Sequence, residues 1–151
     1  KSDIMNITYT RIPSDNGYVV PEPVRATAGA AGIDLRACID EPVVIQPGKT
    51  VRIPSGIALS LPEDYAAFVF ARSGLGVKHG ITLANSVGVI DSDYRGEILI
   101  GLINLSDLPY TVQQGDRVAQ LVIMPVVLAT LIEGDIGDTA RGSGGFGSTG
   151  R

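Results

Sequence analysis

The sequence predicts an all-β sandwich or barrel, and three observations carry that reading. Turn signals recur about every 8–12 residues, the spacing of short strands in antiparallel folds. The segments between them are short, apolar and rich in β-branched residues. With 19 Gly and 9 Pro in 151 residues, long uninterrupted helices have little room.

Taken in order, Ile4–Arg11 alternates apolar and polar residues and reads as the first strand, followed by the turn-rich loop Pro13-Ser14-Asp15-Asn16-Gly17. Val43–Ile45 and Thr50–Ile53 flank a Pro47-Gly48 turn, and Ile57–Leu61 stops at Pro62-Glu63-Asp64. Ala66–Phe70 is continuously apolar, the pattern of a strand buried on both faces, and Ile98–Ile103 is a second such run. Tyr110–Val112 leads into Gln113-Gln114-Gly115-Asp116, which reads as a hairpin turn before the long apolar strand Val118–Val127. The one helix candidate, Ser73–Lys78, is interrupted by Gly74 and Gly76. Residues 134–151 turn Gly/Ser/Thr-rich. The expected organisation is therefore a β-barrel domain over 1–133 and a flexible arm over 134–151.

Composition narrows the function. At 44% hydrophobic residues the chain can build a core, and a net charge of −4 argues against broad nucleic-acid binding. A small anionic ligand is still compatible, because a few arginines can be focused at one site. Cys38 is the only cysteine, so no intrachain disulfide can form; a cytoplasmic or other reducing compartment fits best. One His and one Cys fall short of a zinc cluster. No apolar run approaches the roughly 20 residues of a membrane span, and Lys1–Ile7 lacks the apolar core of a secretory leader, so neither membrane insertion nor secretion is expected.

Five polar or Gly-rich segments interrupt the apolar strands: Ala31–Leu35, Arg72–Gly76, Gly88–Gly96, Gly115–Gln120 and Arg141–Gly150. Arg72 follows a buried strand, where a guanidinium can grip a phosphate through two parallel hydrogen bonds, helped by the N–H groups after it. Read blandly, it is a solvated Arg beside a Ser capping a helix, which spacing alone slightly favours. Asp91 at a strand end can act as a general base on water, although Asp91-Ser92-Asp93 is also ordinary turn chemistry. A carboxylate is a weak base, so positioning and a metal would have to supply most of the rate. Tyr94 can stack on a sugar or base, or sit half-buried in a core or interface. Gln120, inside an apolar run, faces either solvent or a ligand.

Gly142–Gly147 matches Gly-x-Gly-x-x-Gly but has no helix after it, which rejects a dinucleotide-binding fold. What remains is a mobile tail or a lid that orders over a phosphate-bearing ligand. His79 and Ser73 invite a catalytic triad, but no nucleophile-elbow pattern surrounds Ser73; a surface or interface histidine is the better reading. Cys38 reads as a small core residue.

In the same order and close to the same spacing, the five segments resemble the five motifs of the trimeric dUTPase family, over Ala28 to Gly150. The resemblance implies a jelly-roll-like subunit with a flexible Gly-rich C-terminal arm. It implies a homotrimer with sites at the subunit interfaces, where one subunit's arm closes a neighbour's site. The implied reaction is Mg2+-dependent hydrolysis of dUTP to dUMP and pyrophosphate, limiting uracil incorporation into DNA and supplying dUMP for dTMP synthesis. Asp91 matches the residue that activates the water attacking the α-phosphorus, and Asp34 one that meets the metal through water. Arg72, Ser73, Gly74 and Gln120 match phosphate-binding positions. Asn85, Gly88 and Ile90 match the uracil-binding hairpin, and Tyr94 the ring that leaves no room for a 2′-hydroxyl. Arg141 matches the arm arginine on the γ-phosphate and Phe146 the ring stacking on uracil, with Gly147 and Ser148 beside it. Ala71 departs from the usual Pro without removing a functional group.

Two other readings compete. A dCTP deaminase shares a similar fold but lacks the Asp-x-x-Tyr arrangement present at Asp91–Tyr94. A non-catalytic relative should have lost Asp91, Arg141 or Phe146, and this chain keeps all of them.

Overall fold

A computed structural model describes residues 4–147 and residue 150. Short segments fold as β1 (Thr8–Arg11), β2 (Ile33–Arg36), β3 (Val43–Ile45), β4 (Thr50–Pro54), β5 (Ile57–Ser60) and β6 (Tyr65–Phe70). The single helix α1 (Ser73–His79) follows, then β7 (Ile81–Leu83), β8 (Gly88–Ile90), β9 (Leu99–Asn104), β10 (Tyr110–Val112) and β11 (Arg117–Pro125). The all-β expectation holds, with its jelly-roll-like subunit. No helix among the described residues is long and apolar enough to cross a membrane.

The strands form a four-stranded sheet in the order β2-β11-β6-β8, a three-stranded sheet β4-β9-β7, and two ribbons, β1-β5 and β10-β3. Each pairing is antiparallel. Alternate residues point inward, so Leu35, Ile45, Ile53, Ile100, Leu102 and Val112 meet in one core with almost no solvent contact. Cys38 lies in that core as expected. Burial, with the charge of Glu97 nearby, pushes its thiol pKa up, which disfavours the reactive thiolate.

Three expectations change. The uninterrupted apolar run of β6 is not covered equally on both faces: Ala67 and Val69 enter the core, whereas Phe68 and Phe70 are half-buried and stacked on the other face, 6.4 Å apart. Gln113–Asp116 is a turn but not a hairpin, because β10 pairs with β3 while β11 pairs with β2 and β6. The Gly115 N–H donates to the Ala37 carbonyl, tying the turn to the end of β2 and sending the chain across to another sheet. Finally, β2, β7 and β8 lie in stretches not read as strands. Each has only three or four residues, and β2 and β8 fall inside segments marked out by polar residues or glycine. At its edges the reading is also long: the first strand starts at Thr8 and the last ends at Pro125. Beyond Pro125 the described chain has no strand or helix, and Val127, Leu128, Leu131, Ile132 and Ile136 are exposed.

One buried polar side chain organises the turn that follows β9. Asn104 donates from Nδ2 to the carbonyls of Ile45 and Leu108 at 2.8 and 2.7 Å, and its Oδ1 accepts from the N–H and hydroxyl of Ser106. Asn104→Ala would strand the Ile45 carbonyl and the Ser106 N–H and remove one of two bonds to the Leu108 carbonyl, which Ser106 Oγ also reaches; each unpaired buried group costs about 1–3 kcal/mol. The expected outcome is a loss of roughly 2–4 kcal/mol, read as a lower denaturation midpoint at fixed protein concentration.

Candidate active site

The register of β11 collects one group of polar side chains. Gln120 stands opposite Asp34 on one side and Phe70 on the other, and opposed residues in antiparallel strands share a face. Arg72 lies two residues beyond Phe70 with its backbone still extended, so it projects from the same face. Arg117 would alternate to the opposite face, three residues from Gln120. A β-bulge between Arg117 and Ala119 inserts one residue and turns Arg117 back toward Asp34.

Contacts follow from that placement. Arg72 Nε donates to Asp34 Oδ1 at 3.0 Å, and Arg117 Nη1 lies 3.5 Å from Oδ2. Two guanidinium groups on one carboxylate leave a net positive charge, and all three side chains remain accessible to solvent, so an anion can approach. Gln120 Nε2 donates to the Ala71 carbonyl at 2.9 Å, fixing its amide beside the loop that carries Arg72. Gly32 lies directly beneath: a Cβ there would fall 2.4 Å from Gln120 Oε1. Ser73 opens α1 without capping it, because the cap position is Arg72 and no side chain makes the capping bond. Gly74 is exposed with open space around it.

A second group lies at the edge of the same sheet. β7 and β8 follow one another in sequence but pair with different strands, β9 and β6, so their free edges diverge. The turn between them forces Ser86 into a left-handed conformation, with φ at 66°, which costs a residue with a Cβ on the order of 1–2 kcal/mol. Between the edges opens a slot of about 100 Å³ lined by Leu83, Asn85, Gly88, Ile90, Leu99 and Gly101, among others. It is of the order of the ~150 Å³ cavity that accepts a benzene ring. Asp91 follows β8 and is exposed, and its carbonyl accepts from the Tyr94 N–H at 3.2 Å. The Tyr94 hydroxyl donates to the Glu97 carbonyl at 2.8 Å.

The two groups approach one another at Gly88, level with Val69 and one residue from the Phe70 that faces Gln120, but Asp91 and Arg72 are far apart. Ile90 pairs with Ala67, so Asp91 falls level with Ala66, whereas Arg72 stands six residues further along. At ~3.3 Å per residue the separation is roughly 20 Å, beyond the reach of a triphosphate. Among the described residues no hydrogen bond joins Arg141, Phe146 or Gly147 to either group. Arg141 is exposed and donates to the Gly144 carbonyl at 2.8 Å, while Phe146 and Gly147 are exposed. Ser148 lies outside the described residues. His79 and Ser73 occupy opposite ends of α1, about 9 Å apart along the axis, which rules out a triad between them. The His79 ring instead rests on Tyr110 at 5.2 Å.

A family model described as dUTPase matches residues 19–150. The chain is 55% identical over 149 residues to a deoxyuridine 5′-triphosphate nucleotidohydrolase of Neisseria meningitidis serogroup A, an alignment covering 97% of this chain and 99% of that one. The chain belongs to the dUTPase family. It is an enzyme that hydrolyses dUTP. Its fold matches the dUTPase of Staphylococcus bacteriophage 80alpha, solved with dUpNHpp, at a TM-score of 0.82, with 27% identity and coverage of 97% of this chain and 99% of that one. A mutant dUTPase of phage phi11 of S. aureus, 24% identical with a TM-score of 0.76 over 89% of this chain and 100% of that one, shares the fold; its structure describes the coordination of a structural Mg(II) ion.

In this dUTPase, Arg117 is the polar residue that sequence reasoning missed, because its strand parity hides it until the bulge is known. Gly32 is likewise invisible without Gln120 above it. Gly32→Ala should push the Gln120 amide aside and lower kcat/KM for dUTP roughly tenfold, with little change in thermal stability. Parental kinetics in a folded variant would mean that Gln120 has no part in the reaction.

Proposed function

We propose that the active site is composite, built between copies of this chain in a homotrimer, with dUTP spanning both groups of residues. The observation that carries this reading is the roughly 20 Å along β6 between Asp91 and Arg72. A second copy brings the missing half, and the exposed apolar side chains Val89 and Leu99 beside the slot suit a contact between copies.

In this reading Arg72, Ser73, Gly74 and Gln120 hold the phosphates of dUTP. Asn85 and the backbone of Gly88 and Ile90 meet the uracil edge in the slot, where a narrow pocket rejects thymine's methyl and mismatched donors reject cytosine. Tyr94 packs on the deoxyribose. Asp91 accepts a proton from water as its oxygen bonds to the α-phosphorus. The bond from that phosphorus to the bridging oxygen breaks, and pyrophosphate leaves with dUMP remaining. Residues 134–151 act as an arm over a neighbour's site, with Arg141 on the γ-phosphate and Phe146 on uracil. Gly147 and Ser148 act beside Phe146. The exposure of Arg141 and Phe146 leaves both free for such a role.

Magnesium fits this arrangement as a cation carried mainly by the triphosphate. Among the described residues no three His, Cys, Asp or Glu side chains gather to hold a metal, and Mg2+ habitually combines few carboxylates with phosphate oxygens and water. Asp34 is the carboxylate placed to meet it through water. Bound there, the cation would neutralise charge on the phosphates. A lone buried thiol suits a reducing compartment such as the cytoplasm.

Three results test the reading. Asp91→Asn should keep dUTP binding while turnover falls roughly 10²–10⁴-fold, the usual range for losing a general base; an undiminished rate would remove Asp91 from that role. Refolding Asp91→Asn together with Arg72→Ala should restore a substantial fraction of activity, because mixed oligomers contain sites with both residues intact. If the mixture is as inactive as its parents, the site is not shared in this way. Deleting 141–151 should cripple turnover and leave the oligomer assembled, measured by light scattering; a monomeric product would make that segment structural.

A further inference from the structure

Gly96 is a glycine for reasons of space, not of backbone conformation. It does not adopt the positive φ that explains Gly48, Gly80 or Gly115. A Cβ on Gly96 would instead meet Tyr94, at 2.6 Å from the hydroxyl oxygen, 2.7 Å from Cζ and 3.1 Å from Cε2. The Tyr94 ring thus folds back over bare backbone, and its hydroxyl donates to the Glu97 carbonyl at 2.8 Å. One face of the ring is laid on Gly96 while the residue as a whole stays 44% exposed. A ring has only two rotatable bonds, so fixing its tip and one face fixes the plane of the other face.

We infer that Gly96 and the Glu97 carbonyl are positioning residues for Tyr94, a clasp that sets how sharply the enzyme separates deoxyribonucleotide from ribonucleotide triphosphate. The inference rests on the reading that Tyr94 packs on the sugar. Exclusion of a 2′-hydroxyl is a steric test, and its sharpness depends on how far the excluding surface can yield. A ring free to tilt admits the extra oxygen; a ring pinned at its tip does not. Neither Gly96 nor the Glu97 carbonyl need touch the substrate for this to hold.

The test compares kcat/KM for dUTP and UTP, with magnesium, in the full-length enzyme and in Gly96→Ala, Tyr94→Phe, their double variant and Tyr94→Ala. The dUTP:UTP ratio should fall about tenfold in Gly96→Ala and roughly fivefold in Tyr94→Phe, the size expected for one hydrogen bond. The double variant should match Gly96→Ala within about twofold, because both changes open the same clasp. A general loss of structure would lower both substrates together and leave the ratio alone. Tyr94→Phe removes a single oxygen, so it keeps the test available should Gly96→Ala fail to fold. If both leave the ratio parental while Tyr94→Ala collapses it, the clasp is overturned and the sugar reading stands. If Tyr94→Ala itself leaves the ratio parental, the sugar reading fails and the clasp with it.

Discussion

The double pairing of β11, with β2 on one edge and β6 on the other, is the constraint on which the group of Asp34, Arg72, Arg117 and Gln120 depends. Two ladders converge on Gln120 and bring Asp34, from early in the chain, beside the loop carrying Arg72. Side chains in a sheet alternate with a period of two, so an error of one residue in either ladder would send Asp34 or Arg72 to the opposite face. The bulge after Arg117 uses the same rule in reverse. One extra residue aims Arg117 at Asp34 while Val118, Ala119 and Leu121 stay in the core.

β6 is both a scaffold and a spacer. One end leads to Arg72 and α1, and the other lies beside the strand that ends at Asp91. Its length separates the cationic group from the carboxylate, so neither Arg72 nor Arg117 neutralises Asp91 within a single chain. Within a single chain Asp91 is therefore not held by them in a fixed ion pair. In the described chain Asp34 fills that place, ordering the two arginines at an exposed surface where paired charges contribute only modestly to stability.

Glycine has two distinct uses around these groups. Gly80 and Gly115 sit at positive φ, ending α1 and turning the chain into β11. Gly32 and Gly96 do not; each leaves out a Cβ so that a polar or aromatic side chain can lie on the backbone. In the second use a substitution acts first on the side chain above it, because the added Cβ would fall 2.4 Å from Gln120 Oε1 at Gly32 and 2.6 Å from the Tyr94 hydroxyl at Gly96.

Much of this was legible in the sequence. Short apolar runs between Gly/Pro turns determine an all-β core because each can bury only one face of a pleated strand, and most strands lie within a few residues of where the pattern puts them. The five polar segments stood out for the converse reason: Arg72, Asp91 and Arg141 have no place in a core. The tertiary structure alone decided which of them meet. Strand order, the crossing at Gln113–Asp116, the pairing of Asp34 with Arg117 through a bulge, and the divergence of β7 from β8 arise from contacts between residues distant in the chain. Periodicity along one segment carries no information about which partner strand it will find, or in what register.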